Sequence, residues 1–203
     1  MLSYSHTQED MAVVDIFGTN YHGYFLDIGA TDGEWLSNTL ALEEQFGWTG
    51  ICVEADEGYF GNLKSRRKCN CFNYAVGSRD GGNNITLKTL FGTVTPIPTI
   101  IDYFSLDVDG GEVEILKGFP WDTCKLRFAQ VEHDVCDGQH DEHKQAIYAL
   151  MRDRGFIRVV DNHGHPGHPY EDWYALPEVN ADWEEINRKY KIGTEYRNGD
   201  PKR

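Results

Sequence analysis

The stretch "GYFLDIGATDGEWLSNT", from Gly23 to Thr39, decides the fold. It joins an apolar run to a turn that contains Gly29 and Gly33, and it carries two acids, Asp27 and Asp32. The apolar run predicts a buried strand, and the glycines predict a tight turn that leads into a helix. A carboxylate at the end of a buried strand is costly unless it has a partner, so Asp27 indicates a site and not only a core.

Outward from this stretch, short apolar runs alternate with helix-like segments. We predict strands over 23–29, 50–56, 69–77, 85–90, 101–108, 126–133, 156–161 and 172–176, and helices over 37–47, 58–67, 111–119 and 141–155. Strands that alternate with helices pair in parallel through right-handed crossovers. The sequence therefore predicts an α/β fold, a mostly parallel sheet flanked by helices on both faces.

The length and the apolar content predict one domain. The chain has 203 residues, of which 40% are hydrophobic, and this suits a single core of ordinary size. We predict one domain over 1–203, with a covering segment over 1–20 and a charged tail over 180–203. The tail is expected to form a terminal helix followed by disorder, and a role for it in a homodimer is left open.

The charge balance limits the partners. With 33 acidic and 19 basic residues, the formal net charge is −14, which repels phosphate backbones and predicts that nucleic acid is not a partner. The basic cluster from Lys64 to Lys68 is interpreted as an exposed helix end. No apolar run approaches the ~20 residues that span a bilayer, so we predict no membrane span.

The cysteines predict a reducing compartment. They are Cys52, Cys69, Cys71, Cys124 and Cys136, an odd number with irregular spacing. Neither a disulfide framework nor a zinc knuckle fits this pattern. The N-terminus lacks a basic segment followed by an apolar one, so no signal peptide is predicted. We therefore expect reduced thiols and a cytoplasmic location.

Four predicted strands each finish in a carboxylate, at Asp27, Glu54, Asp107 and Glu132. The ligand crevice of such a sheet lies beyond the carboxyl ends of its strands, so we expect these acids to meet there. An acid at the end of the second strand can accept hydrogen bonds from both ribose hydroxyls of a nucleoside.

The turn itself discriminates between nucleosides. It reads G-x-x-x-G, not the G-x-G-x-x-G of a dinucleotide site, and it carries Asp32 where a diphosphate would sit. A carboxylate there favours a cationic ligand such as S-adenosylmethionine, which has a sulfonium, an ammonium and no phosphate. Such turns also occur without any nucleoside, and Asp32 could instead favour a helix N-terminus. The residues predicted to bind this cofactor are Asp27, Gly29, Ala30, Asp32, Gly33, Asn38, Glu54, Ala55, Asn73, Ala75 and Asp107.

Several motifs in order resemble the FkbM family of S-adenosylmethionine-dependent methyltransferases. They are "YFLDIGATDGEWLSNTLALEEQFGWTGICVEAD", "NYAVG", "IDYFSLDVDGGEVEILKGF" and "VEHD", and the resemblance runs from about Ser5 to Trp173. It implies a Rossmann-like class I methyltransferase sheet with an antiparallel last strand. It also implies O-methylation, often on a sugar of a glycan. The family's usual D-V-E-G is here "DVDG", with Asp109 in place of glutamate.

Methyl transfer to a hydroxyl requires that the hydroxyl lose its proton, to a base or with the help of a metal. One expectation is that His133 acts as the general base, oriented by Asp107 or Asp109. The other is that Asp107, Glu132 and His133 hold Mg²⁺ or Mn²⁺, in an arrangement similar to that of the catechol-type O-methyltransferases. His133 could also be a satisfied structural histidine, and Asp109 with Glu112 could be an acid pair at a helix N-terminus.

A second histidine group, "DNHGHPGHP", contains His163, His165 and His168. Glycine and proline predict a loop, which we interpret as a cover over the acceptor. Trp173 and Tyr174 follow it and are predicted to stack on a sugar ring, the alternative being a buried aromatic strand.

The leading hypothesis is thus an S-adenosylmethionine-dependent O-methyltransferase acting on a saccharide or glycoside. The alternatives are methylation of a non-sugar hydroxyl, a nicotinamide-dependent oxidoreductase and a catalytically silent binding domain. The absence of G-x-G-x-x-G argues against the oxidoreductase.

Overall fold

The computed structural model describes residues 1–133, 141–165 and 168–190. The strands are β1 (Tyr24–Ile28), β2 (Thr49–Glu54), β3 (Asn70–Asn73), β4 (Ala75–Val76), β5 (Asn84–Ile85), β6 (Ile100–Leu106), β7 (Lys125–Glu132), β8 (Ile157–His165) and β9 (His168–Ala175). The helices are α1 (Glu9–Phe17), α2 (Leu40–Phe46), α3 (Glu57–Arg66), α4 (Leu87–Gly92), α5 (Glu112–Lys117), α6 (Asp141–Asp153) and α7 (Trp183–Tyr190).

One sheet has the strand order β3-β2-β1-β6-β7-β9-β8. Strands β3, β2, β1, β6 and β7 are parallel, while β9 runs antiparallel to both β7 and β8. Asp27 of β1 lies opposite Cys52 on one side and Ser105 on the other. The predicted α/β class, including the antiparallel strand, is confirmed.

Helices cover both faces of this sheet. On one face α4, α5 and α6 pack over a core that includes Phe104, Leu116 and Met151. On the other face α1, α2, α3 and α7 pack over a second core, which includes Phe25 and Trp173. Burial of both sheet faces explains why the strands read as apolar runs and not as alternating patterns.

The strand predicted over 85–90 is wrong over most of its length. Only Asn84–Ile85 is extended, and it pairs with β4 in a small separate ladder. Helix α4 follows, because the Thr86 hydroxyl accepts a hydrogen bond from the N–H of Thr89 as a cap. Leu87, Leu90 and Phe91 are buried, a spacing of three and four residues that places them on one helix face. The third predicted strand is also divided, into β3 and β4.

The loop predicted over 161–169 is also wrong for the residues that are described. Strands β8 and β9 continue through it as an antiparallel pair, with His163 opposite Glu171 and His165 opposite His168. The ladder has register shifts, and Gly164 has a φ of +147°. These irregularities explain why glycine occurs inside a strand, as it does at bulges.

The N-terminal segment folds against the body of the protein. The buried carboxylate of Asp10 accepts hydrogen bonds from the hydroxyls of Ser3 and Ser5 and from the N–H of Tyr4. Helix α1 packs on α2 and α7. This anchoring holds the first turn of α1 near the carboxyl ends of the strands.

Parts of two predictions lie outside the described residues: the disorder expected in the tail, at 191–203, and the reduced state of Cys136. None of the described helices is long and apolar enough to cross a membrane. The cytoplasmic location and the homodimer stay predictions.

Candidate active site

A cavity of about 640 Å³ opens at the carboxyl ends of β1, β6 and β7. Of the residues predicted for a site, those that line it are Asp27, Gly29, Ala30, Asn38, Asp107, Asp109 and Glu132. The structure therefore brings the acids after three of the predicted strands into one cavity. This is the location at which α/β sheets bind their ligands.

Asp27 lies at the floor of the cavity and is only 4% exposed. Its carboxylate accepts a 2.5 Å hydrogen bond from the hydroxyl of Thr39. The Thr39 oxygen in turn accepts a 2.9 Å hydrogen bond from the buried guanidinium of Arg67. Burial raises the pKa of Asp27 to about 6, against the opposing effects of Thr39 and Arg67. Arg67 is thus buried, which corrects the expectation that the whole basic cluster decorates an exposed helix end.

The glycine turn brings β1 close to the strand beside it. Gly29 has a φ of +90°, and a side chain there would place its Cβ 1.7 Å from the carbonyl oxygen of Asp107. Its N–H and that of Ala30 both donate to the carbonyl of Val53. Only glycine permits this conformation and this approach, so Gly29 is required for the shape of the cavity wall.

Asp32 and Gly33 do not line the cavity. The Asp32 carboxylate accepts hydrogen bonds from the N–H groups of Glu34 and Trp35, at 3.0 and 2.8 Å, and so closes the turn. Gly33 faces α3, where a Cβ would lie 2.7 Å from the side chain of Leu63. Their roles toward a cofactor stay predictions. The alternative that Asp32 lies at a helix N-terminus is wrong, because α2 begins only at Leu40.

Glu54 is placed beside the cavity at the end of β2. One of its carboxylate oxygens accepts from the N–H of Thr31 at 2.8 Å, and the other accepts from the N–H of Asp56 at 2.7 Å. The Asn73 amide donates to the Glu54 carbonyl at 2.8 Å. Glu54 thus fixes the glycine turn. The ribose and adenine roles predicted for Glu54, Ala55, Asn73 and Ala75 are not tested by these contacts and stay predictions.

Three carboxylates gather at the ends of β6 and β7. One oxygen each from Asp107, Asp109 and Glu132 lies within 4.8 Å of the others. The loop between them is held by Glu112, which is buried and accepts hydrogen bonds at 3.1 Å from the N–H groups of Val108 and Gly110. Glu112 is therefore a loop anchor. The oxygen donors of this trio suit Mg²⁺ or Mn²⁺.

His133 does not line the cavity. It is 2% exposed, and its Nε2 lies 3.3 Å from the carboxylate of Asp172. Glu132 and His133 are neighbours at a strand end, and successive side chains of a strand point to opposite faces, so the two cannot both face the cavity. Although burial opposes it, hydrogen bonds from His133 and from the N–H of Asn162 lower the pKa of Asp172. Asp109 takes the place in the acidic trio that the sequence assigned to His133.

Four residues in the other half of the cavity were missed by the sequence predictions, although His165 and His168 of the segment predicted to cover the acceptor line it as well. His6 and Glu9 come from the N-terminal segment, and Tyr170 and Glu171 come from β9. The Nε2 atoms of His6 and His165 are 2.8 Å apart, and the hydroxyl of Tyr170 donates to Glu9 at 2.7 Å. Two sequence features pointed toward this half: the histidine group, whose His165 and His168 line the cavity, and the polar stretch "SHTQED" ahead of the first strand.

His163 lies behind this half and is 1% exposed. Its Nδ1 is 2.8 Å from the carbonyl oxygen of Tyr190, which can only accept, so Nδ1 carries a proton. Its Nε2 lies 3.4 Å from Glu9 and 3.7 Å from Glu171, and 2.5 Å from the hydroxyl of Thr7. A protonated imidazole satisfies all three contacts, so we interpret the group as a buried ion cluster.

The pKa values of this cluster follow its geometry. Burial favours neutral His163, but the hydrogen bond to Glu9 and the charges of Glu171 and Glu9 raise its pKa overall. His163 correspondingly lowers the pKa of Glu9 in spite of burial. Burial raises the pKa of Glu171 to about 8.

The aromatic prediction is also corrected. Trp173 is 0% and Tyr174 is 1% exposed, because both belong to β9 in the middle of the packed sheet. The buried-strand alternative is therefore the right one. The exposed aromatic ring at the cavity is instead that of Trp35, which is 52% exposed, while Tyr170 also lines the cavity.

Solved structures that resemble this chain are methyltransferases. The precorrin-6y C5,15-methyltransferase of Geobacter metallireducens GS-15 aligns with a TM-score of 0.55 and 11% identity, over 82% of this chain and 87% of that one. The human methyltransferase 10 domain containing protein aligns with a TM-score of 0.51 and 15% identity, over 82% and 79%. The METTL16 methyltransferase domain aligns with a TM-score of 0.57 and 13% identity, over 83% and 66%. At these identities the likeness shows the class I methyltransferase fold alone.

No curated protein sequence matches the chain significantly. One family model does match it, over residues 83–158, a range that contains the acidic trio of Asp107, Asp109 and Glu132. The match confirms the resemblance inferred from the sequence: residues 83–158 match the model of the methyltransferase FkbM domain.

Proposed function

We propose that this protein is an S-adenosylmethionine-dependent O-methyltransferase that acts on a hydroxyl of a saccharide or glycoside. The observation that carries the proposal is a single cavity lined by Asp27, by Gly29 and Ala30 of the glycine turn, and by the acidic trio. The family match supports methyl transfer, and the acidic trio supports a hydroxyl as the acceptor.

The residues present fit a cationic methyl donor. Six carboxylates line the cavity, and no lysine or arginine is among its described lining residues. A diphosphate would be repelled there, whereas a sulfonium and an ammonium would be attracted. Asp27, Gly29, Ala30 and Asn38 would hold the donor on the β1 side. When bound, the donor supplies a methyl group on a positively charged sulfur.

The acidic trio would hold a divalent cation, because its carboxylates attract positive charge. Asp107, Asp109 and Glu132 offer hard oxygen ligands from two neighbouring strand ends. Mg²⁺ or Mn²⁺ at this position would lower the pKa of an acceptor hydroxyl.

The proton of the hydroxyl needs an acceptor that faces the cavity. His6 and His165 do so, and their Nε2 atoms are 2.8 Å apart, so one ring donates to the other. Imidazoles take up and release protons near neutral pH. We therefore propose this pair as the base in place of His133, whose imidazole lies against Asp172.

The charge of the cavity also limits the acceptor. The described lining of the cavity contains six carboxylates and neither a lysine nor an arginine. An acceptor with a phosphate or carboxylate group would meet an acidic wall without a counter-charge. We therefore expect neutral or amine-bearing glycosides to be preferred, with Trp35 offering an exposed ring for stacking.

Calorimetry tests which cofactor the protein binds. S-adenosylhomocysteine is expected to bind at micromolar concentration and NADH is not, and binding of NADH alone would overturn the proposal. Methyl transfer is then measured with matched glycosides that carry a hydroxyl, an amine or a phosphate at one position. Equal transfer to the phosphorylated glycoside would contradict the expected preference for neutral or amine-bearing acceptors. Transfer only to phenols or other non-sugar hydroxyls would favour the alternative function, methylation of a non-sugar hydroxyl.

A further inference from the structure

Three cysteine side chains gather along β2 and the start of β3, outside the site described above. The Sγ of Cys69 lies 3.5 Å from that of Cys52 and 3.9 Å from that of Cys71. Cys52 belongs to β2, where it pairs with Cys71 of β3. Cys69 is therefore the central sulfur, and either neighbour is within reach of a small side-chain rotation.

Cys69 is the thiol that a small reagent reaches first. It is partly exposed, whereas Cys52 is 0% and Cys71 is 8% exposed. Cys69 lines a second cavity, of about 1130 Å³, at the amino ends of the strands. The entry to the thiols is thus at the opposite edge of the sheet from the active-site cavity.

The thiols are coupled to the active-site floor through two side chains. The Sγ of Cys52 lies 4.0 Å from the Thr39 hydroxyl, which donates to Asp27. The side chain of Arg67 is fully buried beside Cys52 and Cys69 and donates to the same Thr39 oxygen. A change at the sulfurs therefore occurs one contact away from the hydrogen bond that holds Asp27.

We propose that Cys52 and Cys69 form a reversible disulfide when the protein meets a hydroperoxide. The Cys69 thiolate attacks the peroxide, the O–O bond breaks, hydroxide leaves, and a sulfenic acid forms. The Cys52 sulfur then attacks this sulfenic acid, the S–S bond forms, and water leaves. Two thiols lose two electrons and two protons in total, and hydrogen peroxide becomes two molecules of water.

The Cys52–Cys69 pair is favoured over Cys69–Cys71. Its sulfurs are closer, and cysteines two residues apart in extended chain can be joined only with distortion of the backbone. The hydrogen bonds of Cys69 with Cys52 and then with Cys71, together with burial, raise the pKa of Cys69. The oxidation is therefore expected to be slow at neutral pH and to accelerate as the pH rises, because the thiolate is the nucleophile.

The disulfide is also expected to weaken cofactor binding, an effect that rests on the proposed function. In the disulfide the Cys52 sulfur turns toward Cys69 and leaves its contact with Thr39. We expect the hydrogen bond from Thr39 to Asp27 to weaken. S-adenosylhomocysteine should then bind three- to tenfold more weakly to the oxidised protein.

Peptide mapping without reduction tests the disulfide. The full chain is treated with hydrogen peroxide at neutral and at raised pH, and a linked peptide pair that contains Cys52 and Cys69 is expected, removable with dithiothreitol. Cys69→Ser should abolish the link, while Cys124→Ser, which alters a cysteine in the other core, should retain it. If peroxide yields no Cys52–Cys69 link in the folded wild type, the proposal is overturned, whether or not the variants fold.

Calorimetry of the oxidised and the reduced protein tests the coupling. Weaker binding of S-adenosylhomocysteine after oxidation, reversed by dithiothreitol, supports it, and equal binding overturns it. If neither form binds S-adenosylhomocysteine, the proposed function fails while the mapped disulfide stands.

Discussion

The imidazole Nε2 of His163 lies 3.4 Å from the carboxylate of Glu9, and both residues are 1% exposed. Glu9 begins helix α1, and His163 belongs to β8 near the other end of the chain. This pair closes one side of the candidate active site, because Glu9 also lines the cavity. The ion pair therefore ties the N-terminal segment to the sheet at the point where an acceptor would bind.

The first prediction concerns this pair. We expect Glu9→Gln to lower the free energy of unfolding by about 3 kcal/mol, because it leaves a buried imidazolium without its partner. The contribution of His163, whose folded pKa is raised, is complete below its unfolded pKa of about 6.5 and is lost as the pH rises through the folded pKa. The contribution of Glu9, whose folded pKa is lowered, is complete above about pH 4.5 and is lost as the pH falls through the folded pKa.

Thermal melts across pH check this. The difference in Tm between wild type and Glu9→Gln should be largest between about pH 4.5 and 6.5 and should shrink toward pH 9. Glu114→Gln is the control, since Glu114 forms an exposed pair with Lys117. A difference that is constant across pH would show that His163 is not protonated in the folded protein.

The second prediction concerns the support of Asp27. Thr39→Val keeps the shape of the side chain but removes the hydroxyl between Asp27 and Arg67. We expect S-adenosylhomocysteine to bind about tenfold more weakly, as for a loss of about 1.4 kcal/mol. Calorimetry measures this, with Thr39→Ser, which keeps the hydroxyl, as the matched control. Unchanged affinity in Thr39→Val would remove Asp27 from the cofactor site.

The third prediction concerns the acidic trio. Asp109 has a φ of +55°, a conformation that asparagine tolerates well, so Asp109→Asn should fold normally. We expect methyl transfer to fall at least tenfold while the affinity for S-adenosylhomocysteine is unchanged, because one ligand of the divalent cation is weakened. Exhaustive treatment with EDTA should have the same effect on wild type, reversed by Mg²⁺ or Mn²⁺. Full activity after chelation would exclude a metal from the reaction.

The fourth prediction distinguishes His165, proposed as part of the base, from His133, the base expected from the sequence. His165→Gln should lower turnover about a hundredfold with Tm nearly unchanged, the usual size of a lost general base. His133→Gln should lower Tm instead, because His133 is buried against Asp172. The opposite result, with turnover lost in His133→Gln and retained in His165→Gln, would restore His133 as the catalytic residue.

The fifth prediction concerns the exposed ring at the cavity. Trp35→Ala should raise the KM for a glycoside acceptor about tenfold and leave Tm unchanged, since the ring is 52% exposed. Tyr59→Ala is a matched control, because Tyr59 is equally exposed and does not line the cavity. If both variants behave alike, Trp35 does not contact the acceptor.

The fold was largely predictable from the sequence. Alternating apolar runs and helix signals require a parallel sheet, and the acids that end β1, β6 and β7 necessarily meet at one edge of it. The wrong predictions of secondary structure arose where the local sequence carried signals for two different structures. Residues 85–90 are apolar enough for a strand, but a threonine cap and a helical spacing of buried residues make most of them α4. The histidine segment contains turn residues, but pairing with β9 makes it a strand.

The sequence by itself determined that carboxylates line the carboxyl edge of an α/β sheet, because the order of strands and helices leaves no other edge for them. Only the tertiary structure decided which side chains face the cavity. Alternation along β7 directs Glu132 inward and His133 away from the cavity, and the turn at Asp109 completes the acidic trio. The contact of Glu9 with His163 joins residues that are far apart in the chain, and such contacts arise from packing and not from local pattern.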